Sequence, residues 1–215
     1  MRYLIFGDVH GNLPALEELF KFERNSYDQA ICHGDVVNYG PWSNECVEFL
    51  DTLSDIFLLK GNHEEAFLRG IYPGKNEIAK SFFDFCFPKF IQKEKIRKYG
   101  SSFRAGNYVI SHTIHQDYFY PDTDLTKYNI KRNSIIGHSH YQFDRKIGEF
   151  RIINTGSVGQ NRKAINLAEY VIYDDDKDQV KLKSFLFDID KVIDKMEDDG
   201  YPEICLNYYK NKTKI

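Results

Sequence analysis

The chain has 215 residues, 42% of them hydrophobic and 28% charged, without a long polar or low-complexity tract, which suits one globular domain with a sizeable core. Its net charge of −3 offers no electrostatic footprint for duplex nucleic acid, so any phosphate recognition must come from a local site. No apolar run reaches membrane-spanning length, and the four cysteines show no CxxC pairing, so a cytoplasmic protein with reduced thiols and no membrane partner is expected.

Tyr3 to Phe6 reads as a short buried strand that ends abruptly at Gly7-Asp8-Val9-His10-Gly11-Asn12. Its apolar run of four residues is too short for a signal peptide. Loops at the carboxyl ends of such strands hold the ligands of open α/β sheets. Asp8 and His10 offer an oxygen and a nitrogen together, and Gly7 and Gly11 allow the backbone close to whatever they hold. Leu13-Pro14 then opens a helix whose apolar face is Leu16, Leu19 and Phe20. A second strand, Gln29 to Cys32, runs into His33-Gly34-Asp35. Ser43 is the expected N-cap of a helix with Cys46, Val47, Phe49, Leu50 and Leu53 on one face. Ile56 to Leu59, a third strand, ends in Lys60-Gly61-Asn62-His63-Glu64. This βαβαβ rhythm predicts a parallel sheet.

Residues 76–98 read as a helix pair broken at Pro88, with Phe82, Phe83, Phe85, Phe87 and Phe90 packing in the core. Tyr108 to Ser111 delivers His112, and Ile135-Ile136 delivers Gly137-His138-Ser139-His140. Between them, Tyr118, Phe119 and Tyr120 could stack a nucleobase, although partial burial is expected for at least two of them. A hairpin follows from Gln142 to Ile153, turning at Gly148. Strands at 168–173 and 180–187 flank a solvated turn, Asp174-Asp175-Asp176. Two short helices and a frayed tail from Lys210 to Ile215 close the chain.

Five strand ends thus carry metal-binding side chains: Asp8 and His10; Asp35; Asn62 and His63; His112; His138 and His140. Two carboxylates, an amide oxygen and several imidazoles are too many ligands for one ion. Mixed oxygen and nitrogen donors without thiolate favour manganese, with iron, zinc and nickel also suited. Two divalent ions against two carboxylates leave a surplus of positive charge. That surplus would acidify a shared water and attract a phosphate. Arg162, closing a glycine-punctuated loop, is a candidate phosphate clamp.

Taken together, GDVHGN at 7–12, GD at 34–35, GNHE at 61–64, His112 and GHSH at 137–140 resemble the calcineurin-like metallophosphoesterase superfamily. GDVVNYGP at 34–41 and NTGSVGQNR at 154–162 resemble its small bacterial and archaeal phosphodiesterase branch. The resemblance implies a single domain over 1–215: a four-layer αββα sandwich of two mixed sheets over 1–187, then C-terminal helices and a tail over 188–215. It also implies a ligand partition. One metal ion would take Asp8, His10 and His140, the other Asn62, His112 and His138, and Asp35 would bridge them. His63 would act on the leaving oxygen rather than bind metal. Asn12 would either face the site or cap the following helix.

The chain departs from the family at His33, expected to be structural or to support the site, and at Glu64 in place of a commoner Asp. Ser/Thr protein phosphatases of the superfamily carry GDxVDRG where this chain has Asn38-Tyr39. Asn38 has no charge to stabilise an imidazolium, and Tyr39 cannot grip a dianionic phosphate, though it can pack against a nucleoside. The expected activity is hydrolysis of phosphodiesters or dinucleoside polyphosphates, with a small phosphate ester or nucleotide as partner. The alternatives are a phosphomonoesterase or protein phosphatase-like enzyme, and a slow nucleotide-binding or scaffold protein of the same fold. Nothing in the sequence supports a homo-oligomer.

Overall fold

Side chains along β1 (Arg2–Phe6) alternate between two cores, in a computed structural model that describes residues 1–215. Leu4 and Phe6 face a layer of helices, whereas Tyr3 and Ile5 face a second sheet. β1 pairs in parallel with β2 (Gln29–Cys32), and β2 with β3 (Ile56–Leu58). Helices α1 (Leu13–Phe22) and α2 (Ser43–Asp51) make the crossovers that parallel pairing requires. The first sheet is completed antiparallel by two later strands, Leu167–Asp174 and Gln179–Leu186.

The second sheet is built from β4 (Phe103–Ala105), β5 (Tyr108–Ile110), β6 (Asn133–Ile136), β7 (Phe143–Ile147) and β8 (Phe150–Asn154). Its order is β4-β5-β6-β8-β7, with β5, β6 and β8 parallel and the outer strands antiparallel. The remaining two strands are β9 (Leu167–Asp174) and β10 (Gln179–Leu186), which give the first sheet the order β10-β9-β1-β2-β3. These are the two mixed sheets that the resemblance implies, five strands in each.

Ile5, Ile31, Ile110, Ile135, Ile153 and Val171 fill the space between the sheets, each with no exposed surface. Burial of each contributes roughly 1.5–3 kcal/mol. Helices α3 (Asn62–Arg69), α4 (Glu77–Cys86), α5 (Lys93–Arg97), α6 (Asp190–Asp198) and α7 (Glu203–Lys210) join α1 and α2 on the first sheet's outer core. The outer face of the second sheet is covered by Phe119 and Leu125, from an irregular segment with one 3₁₀ turn at Leu125–Lys127.

Several local expectations change once distant partners are in place. Ser43 does not cap α2; its hydroxyl accepts the Asn38 N–H at 3.0 Å, and Trp42 takes the cap position without a side-chain bond. The tail does not fray. Ile165 N–H donates to Thr213 O at 2.8 Å, and Asn166 bonds Ile215 through both its amide groups. Of the aromatic trio only Phe119 is buried, while Tyr118 and Tyr120 are exposed. Strand β4, only three residues long, is the antiparallel partner of β5.

Candidate metal centre

Gly7, Gly34 and Gly137 mark the ends of β1, β2 and β6 in the sequence, but backbone conformation marks the site itself. Asp8, His10, Asp35, Asn38, Tyr39, His138 and His140 all have φ between 50° and 74°. Left-handed conformations at residues other than glycine cost about 1–3 kcal/mol each and persist only where the surroundings over-determine them. Here the loops hold one another. Asp8 N–H donates to Gly34 O, His10 N–H to Asp35 O and Gly11 N–H to Val36 O, all at 2.8–2.9 Å. Ser157, in the loop after β8, donates its hydroxyl to Asp8 O at 2.7 Å.

Each carboxylate is divided between the backbone and the site. Asp8 Oδ2 accepts the His138 N–H at 2.9 Å, and Asp35 Oδ1 accepts the His63 N–H at 2.8 Å. Their other oxygens turn toward imidazoles. Asp8 Oδ1 lies 3.3 Å from His140 Nε2 and, though buried, accepts no hydrogen bond. Asp35 Oδ2 lies 3.2 Å from His112 Nε2, 3.9 Å from His10 Nε2 and 4.0 Å from His63 Nε2.

The nitrogens converge in the same way. His10 Nε2 and His140 Nε2 are 3.1 Å apart, and His112 Nε2 is 3.0 Å from His138 Nδ1 and 2.9 Å from Asn62 Oδ1. His140 Nδ1 donates to Gln160 O at 2.7 Å, which leaves its Nε2 lone pair for the site. His10 Nδ1 faces Val37 O at 3.3 Å in the same sense. Asp8 with His10 and His140, and Asp35 with His112 and His138, form two groups whose donor atoms lie within 4.8 Å of one another. An orphaned carboxylate oxygen beside apposed imidazole nitrogens is a donor set suited to cations rather than to the protein's own hydrogen bonds.

Burial favours the neutral form of Asp8, but the imidazoles around it, His140 foremost with His112 and His33, together hold the carboxyl below its ordinary range. Burial lowers His112, and the Asp35 carboxylate more than reverses this, to about 9. Burial and the neighbouring His112 press His138 down to about 3. A cation held by His112 would therefore displace a proton.

Asn12 is spent as a helix cap. Its Oδ1 accepts the Ala15 N–H and its Nδ2 donates to Gly159 O, both at 3.1 Å. Tyr39 stands edge-on to His10 and His63, with ring centroids at 4.9 and 5.3 Å. Asn38 contacts His63 Nδ1 at 3.0 Å. Arg162 is half-buried and donates to the Tyr208 hydroxyl of α7. Tyr118 lies over His138 with ring centroids 3.8 Å apart. It borders a cleft of about 630 Å³ that also takes in His63, Arg69, Tyr72 and His112.

Two residues have larger parts than their sequence context suggested. Glu64 is fully buried, and its carboxylate accepts the backbone N–H groups of Gly61, Asp35, Val36 and Val37 at 2.7–3.2 Å. Burial and the Asp35 charge raise it to about 7. His33 bonds Thr155 Oγ1 at 2.7 Å, and its ring fills the space where a Cβ at Gly7 or Gly137 would stand. Gly7 therefore makes room for an imidazole, not for a ligand. The HGD string could have suggested this packing only with the opposing loop in view.

The fold and the clustered Asp, Asn and His side chains define a metal-dependent phosphoesterase, a hydrolase. The calcineurin-like phosphoesterase family model matches residues 1–150, and the chain belongs to that family. It is 26% identical over 238 residues to the uncharacterized protein MJ0912 of Methanocaldococcus jannaschii, covering 93% of each chain. A metallophosphoesterase from Sphaerobacter thermophilus shares the fold with a TM-score of 0.79, 23% identity and 98% coverage of both chains. A shorter match of 68 residues is 43% identical to the symmetrical bis(5'-nucleosyl)-tetraphosphatase of Psychromonas ingrahamii, covering 30% of this chain and 24% of that one.

Proposed function

We propose that this phosphoesterase is dinuclear and hydrolyses phosphodiesters or nucleotide polyphosphates in preference to phosphoproteins. The observation that carries the reading is the division of each carboxylate, one oxygen on a backbone amide and the other turned to imidazoles. Asp8, His10 and His140 would hold one ion and Asn62, His112 and His138 the other, with Asp35 shared between them. Manganese suits these donors best, with iron, zinc and nickel as further candidates. Bound there, two divalent ions supply an acidified water and positive charge for the phosphate oxygens.

The protein's own groups do the rest. His63 has Nδ1 on Asn38, and an amide donor there places the imidazole proton on Nε2, toward the site. From that position Nε2–H stabilises the departing oxygen by a hydrogen bond as the P–O bond breaks. Handing it a proton requires the imidazolium, with Asn38 Oδ1, which has no other partner, turned to accept Nδ1–H. Arg162 can engage phosphate oxygens with its fork. Asn38 and Tyr39 add no charge, which disfavours a dianionic phosphomonoester on a protein. A singly charged diester needs less positive charge, and Tyr39 can pack against a nucleoside. The tetraphosphatase match, confined to 68 residues, supports the polyphosphate side of this reading.

The test is one assay under one manganese condition, with a phosphoserine peptide, a bis-aryl phosphate and a dinucleoside tetraphosphate. Either of the latter two should give the highest kcat/KM. A highest value for the phosphopeptide overturns the reading.

A further inference from the structure

Lys163 pairs with the carboxylate of Glu169, Lys210 with that of Glu197 and Lys214 with that of Asp190. Arg162 and Lys212, which lie among them, pair with none. Both instead converge on one aromatic ring. Arg162 Nη1 donates to the hydroxyl of Tyr208, and Lys212 Nζ lies 4.7 Å from the centroid of the same ring. The Tyr208 ring is 6.3 Å from Tyr39, which also packs against His10 and His63. Two aromatic rings in series, Tyr208 and Tyr39, thus connect the two cations to the histidines of the metal centre.

The arrangement is held in place. Arg162 follows Gln160, whose carbonyl carries His140 Nδ1, and Lys212 precedes Thr213, whose carbonyl accepts the Ile165 N–H. All three side chains are half-buried, so they are partly desolvated yet open to a ligand. Two like charges on one ring repel, and partial burial strengthens that repulsion. Burial and the Arg162 charge lower Lys212 to about 8. An anion between the two cations would relieve this, and a guanidinium, an ammonium and a phenol together offer the donors for phosphate oxygens.

We propose that Arg162, Tyr208 and Lys212 form a second anion subsite that takes a phosphoryl group beyond the scissile one. The proposal rests on the phosphoesterase reading and narrows its substrate class to molecules with two or more linked phosphates. The C-terminal helix is then part of the substrate site, not an accessory to the sandwich.

Two measurements test it, using the full chain. The first is calorimetric titration of metal-free protein with inorganic tripolyphosphate, comparing wild type, Lys212→Met and Lys212→Arg. Methionine keeps the apolar stem over Tyr208, and arginine restores the charge. Lys212→Met should weaken binding about tenfold, the scale of one charge-assisted contact, and Lys212→Arg should recover it. Equal affinity in wild type and Lys212→Met overturns the subsite. The second is the ratio of kcat/KM for a dinucleoside tetraphosphate to that for a bis-aryl phosphate. It should fall about tenfold in Lys212→Met, and an unchanged ratio overturns the assignment. Hydrolysis of neither ester by wild type would defeat the phosphoesterase reading, while the titration would still judge the subsite.

Discussion

Glu64 carries the backbone of the residue whose side chain stands at the middle of the site. Its Oε2 accepts the Asp35 N–H at 2.8 Å, while Asp35 Oδ1 accepts the N–H of His63, the residue before Glu64, at 2.8 Å. The loop after β2 and the first turn of α3 therefore hold each other through two carboxylates. Asp35 is kept at φ 53° by this reciprocal grip.

Replacing Glu64 should cost stability first and activity as a consequence. Glu64→Ala leaves four buried N–H groups without their acceptor, a loss of about 3 kcal/mol or more. Denaturant unfolding of the metal-free protein measures it. A midpoint matching wild type would show that the loop does not depend on this carboxylate.

If Asp35 is shared between two ions as proposed, Asp35→Asn should weaken both together, because one carboxylate would supply charge to each. At least about tenfold weaker binding is expected, the scale seen when even a supporting partner of a ligand is lost. Metal content after dialysis is the readout. Two tightly retained ions in the variant would rule out the bridging role.

His63→Ala should lower kcat by roughly 10²–10⁴-fold while metal content stays near wild type. The loss should be smaller for substrates with good leaving groups, which need no proton. Equal losses across a leaving-group series would remove the acid role and leave an electrostatic one.

Gly7 and His33 should be energetically coupled. The three atoms nearest a methyl group at residue 7 all belong to the His33 ring, so Gly7→Ala should cost roughly 1–3 kcal/mol by overpacking. His33→Ala removes the obstacle, and the double variant should be less destabilised than the two singles taken together. Simple additivity in a double-mutant cycle would show that the ring adapts.

Tyr118→Ala should raise KM for nucleotide substrates roughly tenfold, in line with loss of one stacked base, and affect a small aryl phosphate far less. The ring is half exposed, at 51%, and already lies over His138. A uniform effect on both substrates would mean that Tyr118 only supports His138.

The sequence by itself determined the chemistry on offer and the places where it appears. Apolar runs ending at glycine located β1, β2, β3 and β6, because burial and turn formation are written in neighbouring residues. Asp8, His10, Asp35, Asn62, His63, His112, His138 and His140 were legible for the same reason, one loop at a time. Tertiary structure alone decided how these groups divide their atoms between backbone and site. Asp8 Oδ2 goes to the backbone of His138, 130 residues away, and Oδ1 is thereby left free. The left-handed loops, the grip of Glu64, the fit of His33 beside Gly7 and the convergence of Arg162 with Lys212 on Tyr208 were likewise invisible. Each depends on segments far apart in the chain, and such contacts are specified only when two sheets and their loops close on one another.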